Sequence, residues 1–447
     1  MSTPPTVQSF INQTSEKWHN EGVPFDPFMI VMGGSADQVW DGNGNDGYVA
    51  FYSPVQARPG FRPLGGLVIR DGSKGPADYG IMYIKPLPGK EWAVANPQKW
   101  ARVFTDSGSG NRRDLVAWYP VPPAGYVSLG LCYTNGGVPA GDAVYCVHQD
   151  FAQPLPGRTY WSDSGMHFRG DGHLMVAGFT KRTDGTIAEN VPHKLIIAPN
   201  VAYYGRFTTM FIPFVFEVYD NRPYGLLVDQ ITAPANVVTG PPDPVLNSAS
   251  VRPTGFTTDH GVKQVVVVPY LGINDPGLPH QALASPFYYV AGETFWTLTL
   301  AHRQANTGKD VERITTGVTQ EQTNAFERTT SVTVSATAGV EIGPASASVS
   351  YEMTNSFTSS HSETNSYTHE TEITLDVDTS PNTAFERYRR TLGIRIYRMD
   401  GTPLDSSLDA VSSKDIYDIA FPKNAVVTPK NATFNAVGLN QPELVTA

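Results

Sequence analysis

Residues 331–353, SVTVSATAGVEIGPASASVSYEM, alternate apolar and polar residues almost without a break, and their only charges are Glu341 and Glu352. Val332, Val334, Ala336, Ala338, Val340 and Ile342 hold even positions, whereas Ala345, Ala347, Val349, Tyr351 and Met353 hold odd ones. Successive side chains of a strand point to opposite faces, so a period of two gathers each set on one face. The phase reverses once, at Gly343-Pro344. A hairpin turning there sets Ile342 opposite Ala345, Val340 opposite Ala347, Ala338 opposite Val349, Ala336 opposite Tyr351 and Val334 opposite Met353. Thr333, Ser335, Thr337 and Glu341 then share the other face with Ser346, Ser348, Ser350 and Glu352. One side of the hairpin is oily and the other wet, and the sequence itself specifies the register.

Each arm has about eleven residues, which at roughly 3.3 Å per residue and the usual tilt crosses about 25 Å, the apolar height of a membrane β-barrel. Backbone groups in lipid must all be paired, so one hairpin cannot insert alone. Several chains would each give two strands to a closed barrel, with the oily faces outward and the Ser/Thr/Glu faces lining water. The plainer alternative is a long hairpin in a soluble sandwich. Three features speak against it: the oily face is mostly Ala and Val, small for a dedicated core; the wet face is nearly uncharged; and the flank continues the pattern. Residues 355–378, NSFTSSHSETNSYTHETEITLDVD, end with Ile373, Leu375 and Val377 alternating with Glu372, Thr374 and Asp376.

A chain of 447 residues divides into two or three domains. Its 41 Gly, 36 Pro, 21 Tyr and 21 Phe against 17% charged residues favour short strands and turns, and predict a mostly β protein. The net charge of −10 provides no broad basic field, which argues against nucleic acid as a partner and against simple adsorption to anionic membranes. No run of about 18 apolar residues occurs, and the first residues lack a basic and apolar leader. The expectation is a protein made in soluble form without a recognisable signal peptide, released or secreted, and then acting at a target-cell membrane. Cys132 and Cys146 are too few for a disulfide framework and are expected as reduced core thiols, although one hairpin could bring them together.

Val7, Phe10, Ile11 and Trp18 fall on one helical face, with Thr6 as N-cap and Gly22 as stop. Beyond this helix, residues 39–65 are echoed by 103–130: Asp41 matches Asp106, Phe51 matches Trp118, and Gly60-Phe61 matches Gly125-Tyr126. A third, weaker copy at 160–179 separates Asp163 and Asp171 as Asp106 and Asp114 are separated. Units of about sixty residues, three times over, point to a pseudo-threefold β-prism-like domain over 1–185, each unit giving one sheet to a shared core. The phrases DSGSGNRRDLVAWYPVPPAGYVSLG and VYCVHQDF resemble the vacuolar-protein-sorting-associated family called Vps sixty-two over roughly residues 30–180. That resemblance implies a fold and no chemistry. The Asp-rich loops, with Asp41, Asp106, Asp114, Asp163 and Asp171, offer oxygens to a cation or a sugar hydroxyl; ordinary turn capping by aspartate is the plainer account.

Residues 186–447 read as an elongated β-domain, with strands at KQVVVVPYLG and YYVAGETFWTLTLAHRQ and a Pro-rich stretch at 233–245 as linker or loop. The Ser/Thr-rich flanks of the hairpin resemble the stem of the aerolysin-type β-pore-forming toxins, the group that includes epsilon-toxin and the mosquitocidal toxins, a resemblance that covers roughly residues 190–447, and 285–308 resembles the strand entry that precedes the stem in bacterial insecticidal members. The resemblance implies a bacterial, insecticidal pore-forming protein whose amino-terminal domain binds a glycan or protein receptor, which forms a homo-oligomer, and which can require a second toxin component. No nucleophile elbow, phosphate loop or His-Glu-x-x-His signature occurs, so no enzyme, cofactor or metal is expected. His148 beside Asp150, and His167 and His173 around Asp171, are read as surface hydrogen-bonding groups. His361 and His369 sit in the stem flank, where protonation would loosen a packed hairpin. The rival class is a lectin-like adhesin with a β-rich stalk and no membrane step.

Overall fold

The structure is a computed structural model of the chain. It describes residues 7–44, 47–56, 58–106, 110–155, 157–162, 174–178, 194–197, 202–205, 224–229, 231, 251–258, 261–270, 273–304, 308–316, 320–330, 332–335, 339–342, 371–379, 383–421 and 427–436. The protein is all-β in class, with few helices.

After helix α1 (Val7–Glu21) and strand β1 (Val23–Phe25), the amino-terminal half repeats one six-strand unit three times. The first unit is β2 (Phe28–Gly33), β3 (Ala36–Gly44), β4 (Gly47–Pro54), β5 (Arg62–Pro63), β6 (Leu67–Ile69) and β7 (Ile81–Pro86). The second is β8 (Val94–Ala95), β9 (Lys99–Thr105), β10 (Val116–Val121), β11 (Tyr126–Val127), β12 (Cys132–Thr134) and β13 (Cys146–His148). The third is β14 (Ala152–Pro154), β15 (Gly157–Ser162), β16 (Leu174–Gly178), β17 (Lys194–Ile197), β18 (Ala202–Gly205) and β19 (Tyr224–Asp229). In each, the second, third and fifth strands form one antiparallel sheet, β3-β4-β6, β12-β10-β9 and β15-β16-β18, and the first, sixth and fourth form another, β2-β7-β5, β8-β13-β11 and β14-β19-β17.

Each unit contributes two sheets rather than the one expected, and in the third unit β14 and β17 both pair with β19. The matched turns are alike in detail. Gly60 and Gly125 both adopt left-handed φ, +79° and +83°, and the next residue closes each turn, Phe61 N to Arg58 O and Tyr126 N to Pro123 O, both at 3.1 Å. The matched Leu-Gly steps meet: a Cβ on Gly65 would lie 2.9 Å from Gly130 Cα, an approach open only to glycine. Val49, Phe51, Phe104, Ala117, Tyr133 and Trp161 bury one core among the first set of sheets.

The second half is built on a long antiparallel sheet, β20 (Gly261–Pro269), β21 (Phe287–Gln304), β26 (Thr383–Arg398) and β27 (Pro403–Phe421), in that order. A second sheet joins β22 (Gly308–Thr316), β25 (Thr371–Thr379) and β28 (Val427–Ala436). Between β22 and β25 the chain forms helix α4 (Gln320–Thr330) and the short pair β23 (Val332–Ser335) and β24 (Gly339–Ile342).

The halves share one core. Val265 to Val268 of β20 are fully buried with Phe25, Ile84, Leu226 and Tyr289 in a single cluster. Helix α1 stops at Gly22, whose N–H donates to Trp18 O at 2.9 Å, and its apolar face covers β21: Trp18 stacks on Tyr289 at 5.9 Å and Phe10 meets the same ring edge-on. Helices α2 (Pro76–Tyr79) and α3 (Gln281–Ala284) also meet, with His280 Nδ1 3.2 Å from Asp78 Oδ1.

Candidate membrane-insertion segment

The predicted hairpin lies in the 54-residue connection between β22 and β25, two strands that are themselves antiparallel neighbours. Thr316 pairs with Thr371 at the mouth of that connection. Val332 pairs with Ile342, Thr333 with Glu341, Val334 with Val340 and Ser335 with Gly339. The sequence set Val334 opposite Met353 and Val340 opposite Ala347; here the first arm closes on itself. An antiparallel closure that keeps even positions opposite even positions satisfies the same alternation, so period alone does not choose between the two. Ala336, Thr337, Ala338, the turn residues Gly343 and Pro344, the whole second arm from Ala345 to Met353, and His361 and His369 lie outside the described residues.

Helix α4 is held against the body. Phe326 is 2% exposed and Thr330 is fully buried. Thr330 O accepts from Asn274 N at 3.0 Å, and Ser406 Oγ donates to Thr329 Oγ1 at 2.7 Å.

Below the helix, β22 delivers Glu312 into a buried cluster that sequence reading did not single out. Glu312 accepts from Arg389 at 2.8 and 3.0 Å, from Arg387 Nη1 at 3.2 Å and from the Thr299 hydroxyl at 2.7 Å. Arg387 also forks onto Asp418 at 2.8 and 2.7 Å. Burial pushes the Glu312 carboxyl up, but hydrogen bonds and charge from Arg389, the Thr299 hydroxyl and the charge of Arg387 outweigh it and hold the group below the usual carboxylate range. The signal available was Arg387-x-Arg389, which puts two guanidinium groups on one face of a long strand; buried there they demand carboxylates.

The Asp loops divide. Asp106 is buried and structural: its Oδ1 accepts from Leu115 N and its Oδ2 from Trp40 Nε1, both at 2.6 Å, which closes its own loop and ties it to β3. Asp41 is not in a loop but inside β3, paired with Ala50. Asp114 is exposed, and Asp163 and Asp171 lie outside the described residues, as do His167 and His173. His148 Nδ1 sits 3.4 Å from Asp150 N and 3.5 Å from Asp150 Oδ2, a local turn contact. Among the described residues, no group of three or more His, Cys, Asp or Glu is placed to hold a metal ion. Cys132 and Cys146 are both buried free thiols.

Neither a family model nor a curated protein matches this chain, so the resemblance to Vps sixty-two gains no support from either. Among solved structures the chain is similar to GNIP1Aa from Chromobacterium piscinae, with 22% identity over 39% of this chain and 32% of that one and a TM-score of 0.30. It spans about a third of GNIP1Aa. It is also similar to Cry35Ab1, with 10% identity over 74% of this chain and 89% of that one and a TM-score of 0.31.

Proposed function

We propose that this protein is a β-pore-forming toxin that binds a target-cell surface through its amino-terminal half, oligomerises, and inserts residues 331–353 as a β-hairpin. The observation that carries the reading is the register of β22 on β25. Gly308 pairs with Thr379 and Thr316 with Thr371 without a shift between them. Continued one residue forward against one residue back, that ladder sets Val334 opposite Met353, Val340 opposite Ala347 and Ile342 opposite Ala345, and leaves Gly343-Pro344 to turn. The phase reversal of the sequence falls at the same two residues. Pairing of remote strands and local alternation are separate properties, and their agreement supports a segment written to become the end of the β22–β25 ribbon. A soluble adhesin is the second reading, favoured by the closure of β23 on β24 within the first arm.

Dye release from liposomes and from insect midgut membrane vesicles separates the two. Purified protein is added before and after trypsin, with and without a candidate second toxin component, and the oligomer is followed on a detergent-containing gel. Release with a detergent-resistant ring supports the pore; no release under any of these conditions supports the adhesin.

A further inference from the structure

Of the seven tryptophans, all of them among the described residues, Trp92 alone is exposed, with 49% of its surface open to water. A single apolar side chain on a surface needs no explanation, but this one is neither isolated nor loose. Trp92 lies in a short 3-10 turn, Glu91–Ala93, between β7 and β8. Its carbonyl oxygen accepts from the Tyr126 hydroxyl at 2.8 Å, and the next residue, Ala93, is fully buried. Its ring stands near-perpendicular to that of His148 at 5.4 Å and tilted against Phe151 at 5.3 Å. Tyr126 meets the same imidazole at 5.2 Å, and Phe151 reaches the buried ring of Phe28 at 5.8 Å. The indole is a fixed platform rooted in the core, so little side-chain freedom is lost when a ligand lies on it.

Folding does not ask for this surface, because the repeat builds the same turn twice with different chemistry. In the first copy a Cβ on Gly60 would fall 3.2 Å from Lys85 Cδ, and Lys85 Nζ sits 4.8 Å over the ring of Phe61, which is buried. In the second a Cβ on Gly125 would fall 3.8 Å from His148 Nε2, and Tyr126 pairs with His148. Arg62 pairs with Ile84 as Val127 pairs with Val147, so Lys85 and His148 hold the same place in the unit. One copy caps a buried ring with an ammonium. The other sets an imidazole, a half-buried tyrosine and an open indole at that place.

We propose that Trp92, Tyr126, His148 and Asp150 form a carbohydrate site that takes one pyranose residue of a cell-surface glycan. The proposal rests on the reading that the amino-terminal half binds the target surface, and adds to it where and through what chemistry. A pyranose has a flat C–H face and a rim of hydroxyls. The C–H face suits the electron-rich face of an indole, and the rim needs fixed polar groups beside it. Asp150 supplies them: its carboxylate is 65% exposed, and an ionised acceptor makes the stronger kind of hydrogen bond to a hydroxyl. Its backbone N–H donates to His148 Nδ1 at 3.4 Å, which leaves the proton of the neutral imidazole on Nε2 as a donor, and Gly125 has no side chain to cover it. The rings touch one another at 5.2–5.4 Å and enclose no gap for a quaternary ammonium. Exposed Glu91 and Asp150 oppose an anionic lipid.

The test uses the full chain, insect midgut membrane vesicles before and after periodate, which cleaves the vicinal diols of sugars, and methyl β-D-galactopyranoside and methyl β-D-glucopyranoside as free probes. At least one pyranoside should shift the tryptophan emission of the wild type, because the open indole becomes covered, and should leave that of Trp92→Phe unmoved. Trp92→Ala and Asp150→Asn should bind untreated vesicles at least about tenfold more weakly, with unchanged circular dichroism, and periodate should bring the wild type down to their level. Asp150→Asn keeps the backbone bond to His148 and removes only an exposed charge, so it reads the site even where Trp92→Ala is poorly folded. Emission that neither sugar moves overturns the site. Binding that survives periodate yet falls with Trp92→Ala assigns the platform to a protein or a lipid and overturns the sugar. Variants that bind vesicles as the wild type does overturn the site and leave the surface-binding reading standing; a wild type that responds to a free sugar but binds no vesicle supports the site and overturns that reading instead.

Discussion

Glu312 and Arg389 meet as a fork, Nε to Oε1 at 2.8 Å and Nη2 to Oε2 at 3.0 Å, with both side chains almost wholly removed from water. Two parallel charge-assisted bonds fix orientation as well as proximity. β22 is thereby set against β26 at a single register, seventy-seven residues away in sequence.

Acid should open this contact, but only strong acid. The Glu312 carboxyl is held below the usual range, so its contribution is full above the ordinary glutamate pKa of about 4.3 and is lost as pH falls through the lower folded-state value. Arginine side chains keep their charge over this range. Protease sensitivity of the β22–β25 region should hold level from neutral pH to about 5 and rise only below about 4. Glu312→Gln should remove the pH step and lower stability by about 3–5 kcal/mol, because two buried guanidinium groups lose a partner. A step centred between about 5 and 6 would assign the acid response to another group.

The amino-terminal half depends on Asp106. Its two oxygens accept from different donors, Leu115 N and Trp40 Nε1, so an amide cannot serve both: Asp106→Asn presents an N–H to one of them. Urea unfolding should show a loss of about 1–3 kcal/mol, and the tryptophan emission should shift red. A variant as stable as wild type would return Asp106 to the list of ligand candidates.

The cysteines should be inert in the folded protein. Burial pushes the Cys146 thiol up to about 12, and burial together with its neighbour raises Cys132 further. Reaction needs the thiolate. Titration with a thiol reagent should find both groups silent at pH 8 and both reactive in denaturant; prompt labelling of either in the native chain contradicts the placement.

Val334→Asp tests the oily face. A charge near the bilayer midplane costs roughly 2–4 kcal/mol per subunit, multiplied around a ring. The variant should fold and bind vesicles with wild-type circular dichroism and fail to release dye.

Much of this was legible in the sequence, for physical reasons that also mark the limits. The match of Gly60-Phe61 with Gly125-Tyr126 is local, and both positions close the same kind of turn with a left-handed glycine. The six-strand unit was harder: β17, β18 and β19 lack the Pro-Gly-aromatic half of the repeat, so the third copy was read as ending near residue 179 when its pairing runs to Asp229. The position of Asp41 was missed because Asp-Gly-Asn-Gly reads as a turn, whereas β3 carries it as strand up to Gly44. The buried cluster left the faintest trace, since Glu312 lies 75 and 77 residues from the two arginines it joins.

The most direct test of the central claim is a fluorescence scan. Single cysteines from 332 to 353, each carrying an environment-sensitive dye, are read before and after the protein acts on vesicles. The account predicts that even positions to 342 and odd positions from 345 move into lipid, with their neighbours in water and the phase reversing at Gly343-Pro344. Emission that changes without period two, or stays unchanged while vesicles leak, contradicts it.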